Sequence, residues 1–514
     1  MPSKPLPVPS GLLNSVDMQV QEIMYGHRLT QEQEPYMILL EVLHVCNAQP
    51  LGSVKPSEDN HEAFKYTLPR RRKLRFLLFA DRQLEQVVND QDIADSEKWS
   101  VWKKRVNHQF QGNTTAHDEF AYLDEAFDSD INALLQAVRL LRAQEVDVMH
   151  NRRWTSRFLS VTGPETLCPD MREFVNQAWS MDRRFFGRGG ELVYLMLNRS
   201  SRVEELKEQI ASNFLDEKSP MNQVAMRLTD DNEDGSSGTE IGYLPYRHHE
   251  AYDRIADDWC NLLDLHLPDG HLFEPLFRIT GLNLVTYLAQ QTANILGSNK
   301  PEPIVADLTD GSDKQFREIC KMHLNRHRLA ANRAVKTFIT DIANQDEEWQ
   351  AAVTQGDGGA AKDVLRRLFA YKHRDMQIRP PLQQLNTLIE QATSRDKNNL
   401  HKYLLPLTKG IGLATSRQRI GSWFGLDDGL LFALVMANVT HTVELRDFVA
   451  QLYERYGIVI GPEEARQAFT RLPVGVQSFE TNLAALEQRM TRLALTQRLS
   501  DDCAFVTNPY RGDV

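Results

Sequence analysis

The sequence predicts a mainly α-helical, multidomain protein with some short strands and a winged-helix-like C-terminal module. The chain has 514 residues, and at roughly 100–200 residues per domain this length predicts about three folding units. Its hydrophobic content of 41% and charged content of 25% are close to the averages of globular proteins, so a packed core is feasible. Several segments also have apolar residues at helical spacing.

The first part of the chain divides into a disordered tail, residues 1–10, and an α-rich N-terminal domain, residues 11–150. The tail contains four prolines, which favour extended backbone. Apolar residues within 34–48 indicate a buried helix, and their helical spacing in 128–148 indicates another. Residues 74–80 (LRFLLFA) predict a short buried element, which periodicity does not assign to strand or helix.

A middle α/β region, residues 151–229, precedes the clearest loop signal in the chain. Its glycine-rich turn leads into an apolar run over 191–197, which predicts a buried helix or strand. Residues 203–214 have the pattern of a surface helix. Residues 230–239 read DDNEDGSSGT and contain no apolar anchor, so we expect a flexible loop over 230–240.

A helical domain is expected over residues 241–405. Apolar spacing of three and four predicts helices over 252–265 and 282–296, and a further helix is predicted over 314–341. The GDGG string at 356–359 predicts a break, and the prolines at 380–381 should end or kink a helix.

The last module, residues 406–514, contains several helix-boundary signals. The acidic pair at 427–428 is suited to cap a helix that follows it. A second helix is predicted over 443–456 and ends at Gly457, and Pro462 lies in the first turn of a third.

A longer helix over 478–493 and a strand over 503–507 complete the resemblance to a winged helix. In winged helices the later helix enters the major groove of DNA. Here that helix carries Arg489 and Arg492 together with acidic residues and is nearly neutral. It therefore suits a protein contact at least as well as DNA.

Composition limits the class of protein. The net charge of −11 argues against binding nucleic acid through bulk charge, although it leaves room for local basic surfaces. The five cysteines are dispersed without a CxxC pair, which is typical of a reducing compartment and predicts no zinc ribbon. The longest apolar stretches, such as 430–439, are shorter than the ~20 residues that cross a bilayer. We expect a cytoplasmic protein with no membrane partner and no cofactor.

Two segments are candidates for nucleic-acid contact. Residues 314–336 contain seven Lys or Arg against one acid, a local excess typical of a phosphate-contacting stripe. A solvated face, or pairing with the acidic run 307–313, is the alternative. Residues 409–424 combine cations, glycines and the aromatics Trp423 and Phe424, a composition suited to a hairpin that contacts phosphates and stacks on a base; the alternative is a hairpin that covers the core of the module. The predicted nucleic-acid-binding residues are Lys314, Arg317, Lys321, Arg328, Lys336, Lys409, Arg417 and Arg419.

The glycine string at 187–190 is a candidate anion site. Backbone N–H groups beside Arg188, Gly189 and Gly190 can form a nest that holds an anion, although no nucleotide-binding motif with Lys and Ser/Thr is present. The alternative is a sharp turn packed between two elements.

A metal-dependent active site is the alternative to a non-catalytic protein. Histidines and aspartates are dense between 248 and 271, and a metallohydrolase needs such groups to converge on one point. His323 and His327 share a helix face, but the glutamate of HExxH is missing, which favours buried or interface histidines. No catalytic residue is assigned. The dense set consists of His248, His249, Asp253, Asp257, Asp258, His266 and His271.

Four strings in the chain resemble accessory proteins encoded in bacterial anti-phage operons, of the phosphorothioation-dependent restriction or methylation-associated defence type. The strings lie at 183–200, 243–268, 407–418 and 452–461. The resemblance implies a non-ATPase subunit that recognises or threads DNA beside a translocase-like ATPase or helicase. Together with the lack of a recognisable active site, the localised basic segments and the length of the chain, it predicts a non-catalytic accessory subunit of a bacterial DNA-targeting defence complex that bridges an ATPase/helicase or nuclease partner and DNA. The alternative is a metal-dependent nuclease or hydrolase that uses the 248–271 cluster.

Overall fold

The computed structural model describes most of the chain. The described residues are 16–26, 34–55, 61–68, 71–111, 117–146, 157–167, 172–175, 178–181, 189–230, 236–265, 267, 270–298, 300–369, 371, 378–394, 400–498 and 504–511. The predicted tail, residues 1–10, lies outside them.

Helices dominate the described residues, which confirms the mainly α prediction. The helices are α1 (Val16–Tyr25), α2 (Pro35–Ala48), α3 (Arg72–Phe79), α4 (Gln83–Asn89), α5 (Asp95–Gln111), α6 (Tyr122–Ala126), α7 (Ile131–Arg142), α8 (Gly189–Asn198), α9 (Val203–Phe214), α10 (Pro220–Leu228), α11 (Glu250–Leu263), α12 (Phe273–Ile295), α13 (Lys314–Gln345), α14 (Glu347–Gln355), α15 (Gly358–Phe369), α16 (Pro381–Ser394), α17 (Leu400–Gly410), α18 (Asp428–Asn438), α19 (Leu445–Tyr456), α20 (Pro462–Ala468) and α21 (Val476–Arg492). Of the ambiguous segments, residues 74–79 lie in α3 and residues 191–197 lie in α8, so both are helical.

The strands are short and form small sheets. They are β1 (His61–Leu68), β2 (Arg172–Val175), β3 (Ala178–Met181), β4 (Ser236–Tyr243), β5 (Ile304–Val305), β6 (Ala414–Arg417), β7 (Gly421–Phe424), β8 (Val443–Glu444), β9 (Ile458–Val459), β10 (Thr496–Arg498) and β11 (Ala504–Val506). Strands β1 and β4 pair antiparallel, with His61 opposite Tyr243 and Leu68 opposite Ser236. The expected flexible loop over 230–240 is therefore wrong for residues 236–240, because β4 is held by backbone pairing that its polar composition does not reveal.

Local signals explain where several helices begin and end. The Asp130 carboxylate caps α7 by accepting from the amides of Asn132 and Ala133, and the apolar face of α7 is buried. Asp427 caps α18 by accepting from Leu430 N, and Gly457 ends α19 in the left-handed region at φ 71°. Pro462 is the first residue of α20, and the predicted end of α19 at Gly457 is confirmed, whereas residues 443–444 form β8 instead of the first residues of that helix.

Among the described residues, the buried apolar side chains form two clusters, and the larger one is built around α12. Along its length α12 packs against α2, α11, α13, α17 and α18, so its buried residues occur all round the helix. The cluster extends from α1 to β11 and includes residues from both sides of the predicted boundary at 405/406. The smaller cluster contains α3 to α7 together with α10. The predicted domain boundaries themselves stay a prediction.

The end of the chain combines four helices with a three-stranded sheet. The strand order is β10-β11-β8 with antiparallel neighbours. Strand β9 leaves this unit and pairs parallel with β5, Ile304 opposite Ile458. The fully buried Asn482 on α21 holds the backbone after β5 to the backbone after β9. Its side-chain amide donates to Ala306 O (2.9 Å) and Ile460 O (3.0 Å) and accepts from Leu308 N (2.8 Å).

A buried polar network joins α11, α12 and α19. The Asp258 carboxylate is fully buried and accepts from the Arg455 guanidinium, from Asn283 Nδ2 at 2.7 Å and from the Tyr456 hydroxyl at 2.8 Å. Arg254 Nε donates to Asn283 Oδ1 at 2.9 Å and extends the network. Burial raises the pKa of Asp258, and the charge of Arg455 opposes that shift.

The cysteines and the apolar helices can be compared with what composition predicts. Cys46, Cys260 and Cys320 are buried free thiols, as the dispersed cysteines predict. Among the described helices, even the long α12 and α13 lack the continuous apolar length that a membrane crossing requires.

Candidate nucleic-acid interface

The cations of α13 divide into two groups that face different neighbours rather than forming one stripe, although Lys336 of the second group is only about 40° from Lys314 around the helix axis. At about 100° per residue, Lys314, Arg317, Lys321 and Arg328 lie on one side, and contacts place this side against the hairpin of β6 and β7. Arg326, Arg333 and Lys336 line a cleft between α13 and α16. Sequence spacing predicted the local excess of charge but not its division, because the positions of α16 and the hairpin around α13 are tertiary information.

The first face includes an exposed cationic hairpin. Strands β6 and β7 pair antiparallel with Arg417 opposite Gly421, and the turn between them contains Arg419 in the left-handed region at φ 68°. Ile420 N donates to Arg417 O at 3.1 Å and closes the turn. Both arginines are exposed. The turn therefore presents two guanidinium groups, which are bidentate donors to phosphate.

The hairpin has a buried anchor. Trp423 is 1% exposed, and its Nε1 donates to Asp307 Oδ2 at 3.0 Å. The guanidiniums of Arg317 and Arg417 lie 5.8 and 5.9 Å from the centroid of the Trp423 ring. The expectation that Trp423 and Phe424 stack on a base is wrong, because both rings are buried in the core. Their burial instead fixes the hairpin against α13.

Lys321 joins the helix to the hairpin turn. Its Nζ donates to Ile420 O at 3.0 Å and lies 3.6 Å from the Glu318 carboxylate. Arg317 lies 3.5 Å from the same carboxylate and donates to Gly311 O at 3.3 Å. These two cations therefore hold the hairpin in place and are partly neutralised.

Exposed positive charge on this face is concentrated on three side chains. Lys314, at the start of α13, is exposed and forms no ion pair with a described residue, and the same holds for Arg417 and Arg419. We call Lys314, Lys321, Arg417 and Arg419 the hairpin surface.

The remaining predicted cations contribute less to this surface. Arg328 is partly buried, and burial lowers the pKa of its guanidinium. Lys409 is exposed at the end of α17, and no described contact joins its side chain to the hairpin arginines.

The second face of α13 forms a cleft with a volume of about 670 Å³. At its edge, Glu302 Oε1 lies 3.1 Å from Arg326 Nη1 and 2.9 Å from His323 Nδ1. Burial would raise the pKa of Glu302, but these two partners outweigh it and lower the pKa to about 2. Glu302 is thus ionised at neutral pH and compensates the charge of Arg326. Arg333 and Lys336 line the same cleft but form no ion pair with Glu302. Lys336 therefore belongs to this cleft and not to the hairpin surface.

The histidine pair on α13 is buried. The His323 ring packs against Phe469 with centroids 5.3 Å apart, and the His327 ring packs edge-on against Phe424. Burial lowers the pKa of His327 to about 4, so it is neutral at pH 7. These contacts agree with the interpretation as buried histidines. Within the described part of the chain, no group of three or more His, Cys, Asp or Glu side chains is arranged to hold a metal ion.

The predicted anion site at the start of α8 is filled by the protein itself. Gly190 N donates to the buried Glu41 carboxylate at 3.0 Å, so the helix N-terminus already has an anionic partner. Gly189 and Gly190 are buried, and a Cβ at Gly190 would lie 2.7 Å from Ile38 O. The tight packing of Gly189 and Gly190 against α2 agrees with the alternative of a sharp turn packed between two elements, and the anion site stays a prediction. Arg188 lies outside the described residues.

The 248–271 set does not converge. His249 caps α11 through Nδ1, which accepts from Ala251 N at 3.1 Å, whereas His248 and His271 are exposed. Asp253 Oδ1 accepts from Ser201 N at 2.8 Å. Asp257 pairs with Arg202 at 3.3 Å, and Asp258 belongs to the buried network. His266 lies outside the described residues. Each described carboxylate thus has its own structural partner.

Sequence reasoning missed the cleft and the buried network. Arg326 and Arg333 contributed to the charge count but were not separated from the other cations of α13. Asp258 was grouped with its neighbours in sequence, although its partner Arg455 lies on a distant helix.

No protein-family model matches the chain, and neither curated proteins nor solved structures give a significant match. Function therefore has to be inferred from the geometry of the chain's own residues.

Proposed function

We propose that the chain is a non-catalytic accessory subunit of a bacterial DNA-targeting defence complex that bridges an ATPase/helicase or nuclease partner and DNA. The observation that supports DNA binding is the exposed hairpin surface beside α13. The resemblance of the four strings to components of anti-phage operons supports the defence context.

Phosphate contact is the mode of binding that the hairpin surface supports. Arg417 and Arg419 project from a turn whose base is fixed by Trp423, so little ordering is needed when they meet the backbone of DNA. Such contacts position a protein on DNA without reading sequence. Lys314 and Lys321 extend the same surface along α13.

A winged-helix-like module is proposed for the C-terminal part. The order α18, β8, α19, α20, α21, β10, β11 and the sheet order β10-β11-β8 support it. In this arrangement α21 would be the recognition helix. Its Arg489 lies 3.5 Å from Asp310 and also pairs with Asp428. Because that cation is compensated, α21 suits a protein partner better than the major groove.

A salt titration of DNA binding tests the hairpin surface. Fluorescence anisotropy with a duplex oligonucleotide should give an affinity that falls steeply with salt, because each neutralised phosphate contributes about 0.9 to the log–log slope. The double variant Arg417→Gln/Arg419→Gln should reduce that slope by about 2. Arg446→Gln, an exposed arginine on α19, is the matched control and should leave the slope unchanged. An unchanged slope in the double variant would refute the assignment.

The bridging part requires a separate measurement. The tagged chain, purified from a host that carries the whole operon, should retain an ATPase or nuclease subunit after treatment with nuclease. Recovery of the chain alone would contradict the subunit proposal without affecting the salt titration.

A further inference from the structure

We propose that the cleft between α13 and α16 is a binding site for a mononucleotide, with the phosphate on Arg333 and Lys336 and the base against Leu329 and Ile389. This site is separate from the hairpin surface, and the inference does not rest on the proposed DNA-binding function.

The size of the cleft fits a small ligand. Its volume of about 670 Å³ lies within the range of roughly 300–1,000 Å³ that is common for small-molecule sites. Its walls come from two helices that pack against each other, α13 and α16. The site is therefore built on regular structure, which favours a preformed shape.

The charge of the cleft selects an anion. Among the described residues that line the cleft, Glu302 is the acidic one, and it already compensates Arg326. The side chains of Arg333 and Lys336 form no hydrogen bond or ion pair with the described residues. Lying three residues apart on one helix, they are neighbours. An arginine and a lysine together provide the directional donors and the compact charge that phosphate binding uses.

The apolar part of the cleft selects a ligand with more than a phosphate. Leu329 is 55% exposed although it lies between charged residues on α13, and it lines the cleft with Ile389 of α16. An exposed leucine is ordinary by itself, but here it borders a concave site next to unpaired cations. Its face can cover a planar ring while the cations hold the phosphate.

Asn332 supplies a group for the edge of the base. It lies on α13 between Leu329 and Arg333 and lines the cleft. A carboxamide donates and accepts at once, and it pairs in two places with the N6/N7 edge of adenine. These three contributions together favour an adenine mononucleotide over inorganic phosphate or an apolar acid.

Calorimetry on the full chain with adenosine monophosphate tests the site. We expect saturable binding, at least 10-fold weaker binding of adenosine, and at least 10-fold weaker binding of inorganic phosphate. Arg333→Gln and Lys336→Gln should each weaken the nucleotide at least 10-fold. Lys314→Gln removes an exposed cation at the opposite end of the cation-rich stretch, about 33 Å from Lys336 along the same helix, and should have no effect.

Two results would overturn the proposal. One is the absence of saturable mononucleotide binding up to millimolar concentration. The other is binding that Arg333→Gln and Lys336→Gln leave unchanged. A single-stranded oligonucleotide supplies the same phosphate chemistry from another source. If the oligonucleotide binds through Arg333 and the mononucleotide does not, the cleft is part of a nucleic-acid path and the mononucleotide assignment is wrong. All substitutions are at exposed positions, so an unchanged melting temperature confirms that the variants are folded.

Discussion

Replacement of Arg455 by methionine tests the buried network directly. Methionine retains much of the apolar stem of arginine but leaves the fully buried Asp258 carboxylate without its direct ion-pair partner, although the charge of Arg254 still acts on that carboxylate. Removal of one partner of a buried ion pair costs about 3–5 kcal/mol. Because the Arg455 side chain is itself 26% exposed, we expect the lower end, about 3 kcal/mol.

Hydrogen exchange gives a local readout of stability at the network itself. A loss of about 3 kcal/mol should accelerate exchange of the protected amides in α11 and α19 roughly 100-fold. Adding Asp258→Asn to Arg455→Met should recover part of the protection, because the carboxylate that lost its direct partner is then gone while Asn283 and Tyr456 keep a polar partner; Arg254 loses the charge of that carboxylate, so recovery is incomplete. Arg446→Met, on the exposed side of α19, is the control. Exchange in Arg455→Met within threefold of the parent would refute the reasoning.

The remaining predictions concern a titrating cap and a tight helix contact. Burial lowers the pKa of His249 to about 4 from an unfolded value of 6.5, so the folded state resists protonation and stability falls as pH drops from 6.5 towards 4. The free energy of unfolding should be about 2 kcal/mol lower at pH 5 than at pH 7. His249→Asn retains a cap acceptor, and urea titrations at the two pH values should show a smaller loss of stability in this variant. An equal loss in both proteins would contradict the assignment to His249. Gly190→Ala places a Cβ 2.4 Å from the Glu41 Cβ and should lower the melting temperature by several degrees, whereas Gly475→Ala meets no atom within 4 Å and should change it little. Equal melting temperatures for the two glycine variants would refute the packing argument.

Local chemistry made much of the helical structure predictable. Asp427, Gly457 and Pro462 act at the ends of helices as their side chains and backbone preferences dictate, and each is visible in the sequence. Strand β4 was missed because a polar, glycine-containing segment is typical of loops, and only its pairing with β1 makes it a strand.

The candidate site was predictable only in part. The excess of cations on α13 was clear from the sequence, but their division between the hairpin surface and the cleft depends on which neighbours pack on each face. Trp423 shows the same limit. From the sequence, its aromatic ring suits base stacking or burial in the core equally well. In the structure the ring is buried and its Nε1 is hydrogen-bonded to Asp307.

The pairing of β5 with β9 has a consequence for the order of synthesis. Residues 304–305 emerge from the ribosome long before residues 458–459, on the order of ten seconds earlier at typical elongation rates. During that interval β5 has no β9 to pair with, because β9 has not yet been synthesised. Ala306 O and Leu308 N also lack their hydrogen-bond partner, since Asn482 is made later still. The nascent chain is then exposed to aggregation and suited to chaperone binding. Fragments divided between residues 405 and 406 would keep that vulnerable state permanently, so biochemical work on this protein calls for the undivided chain.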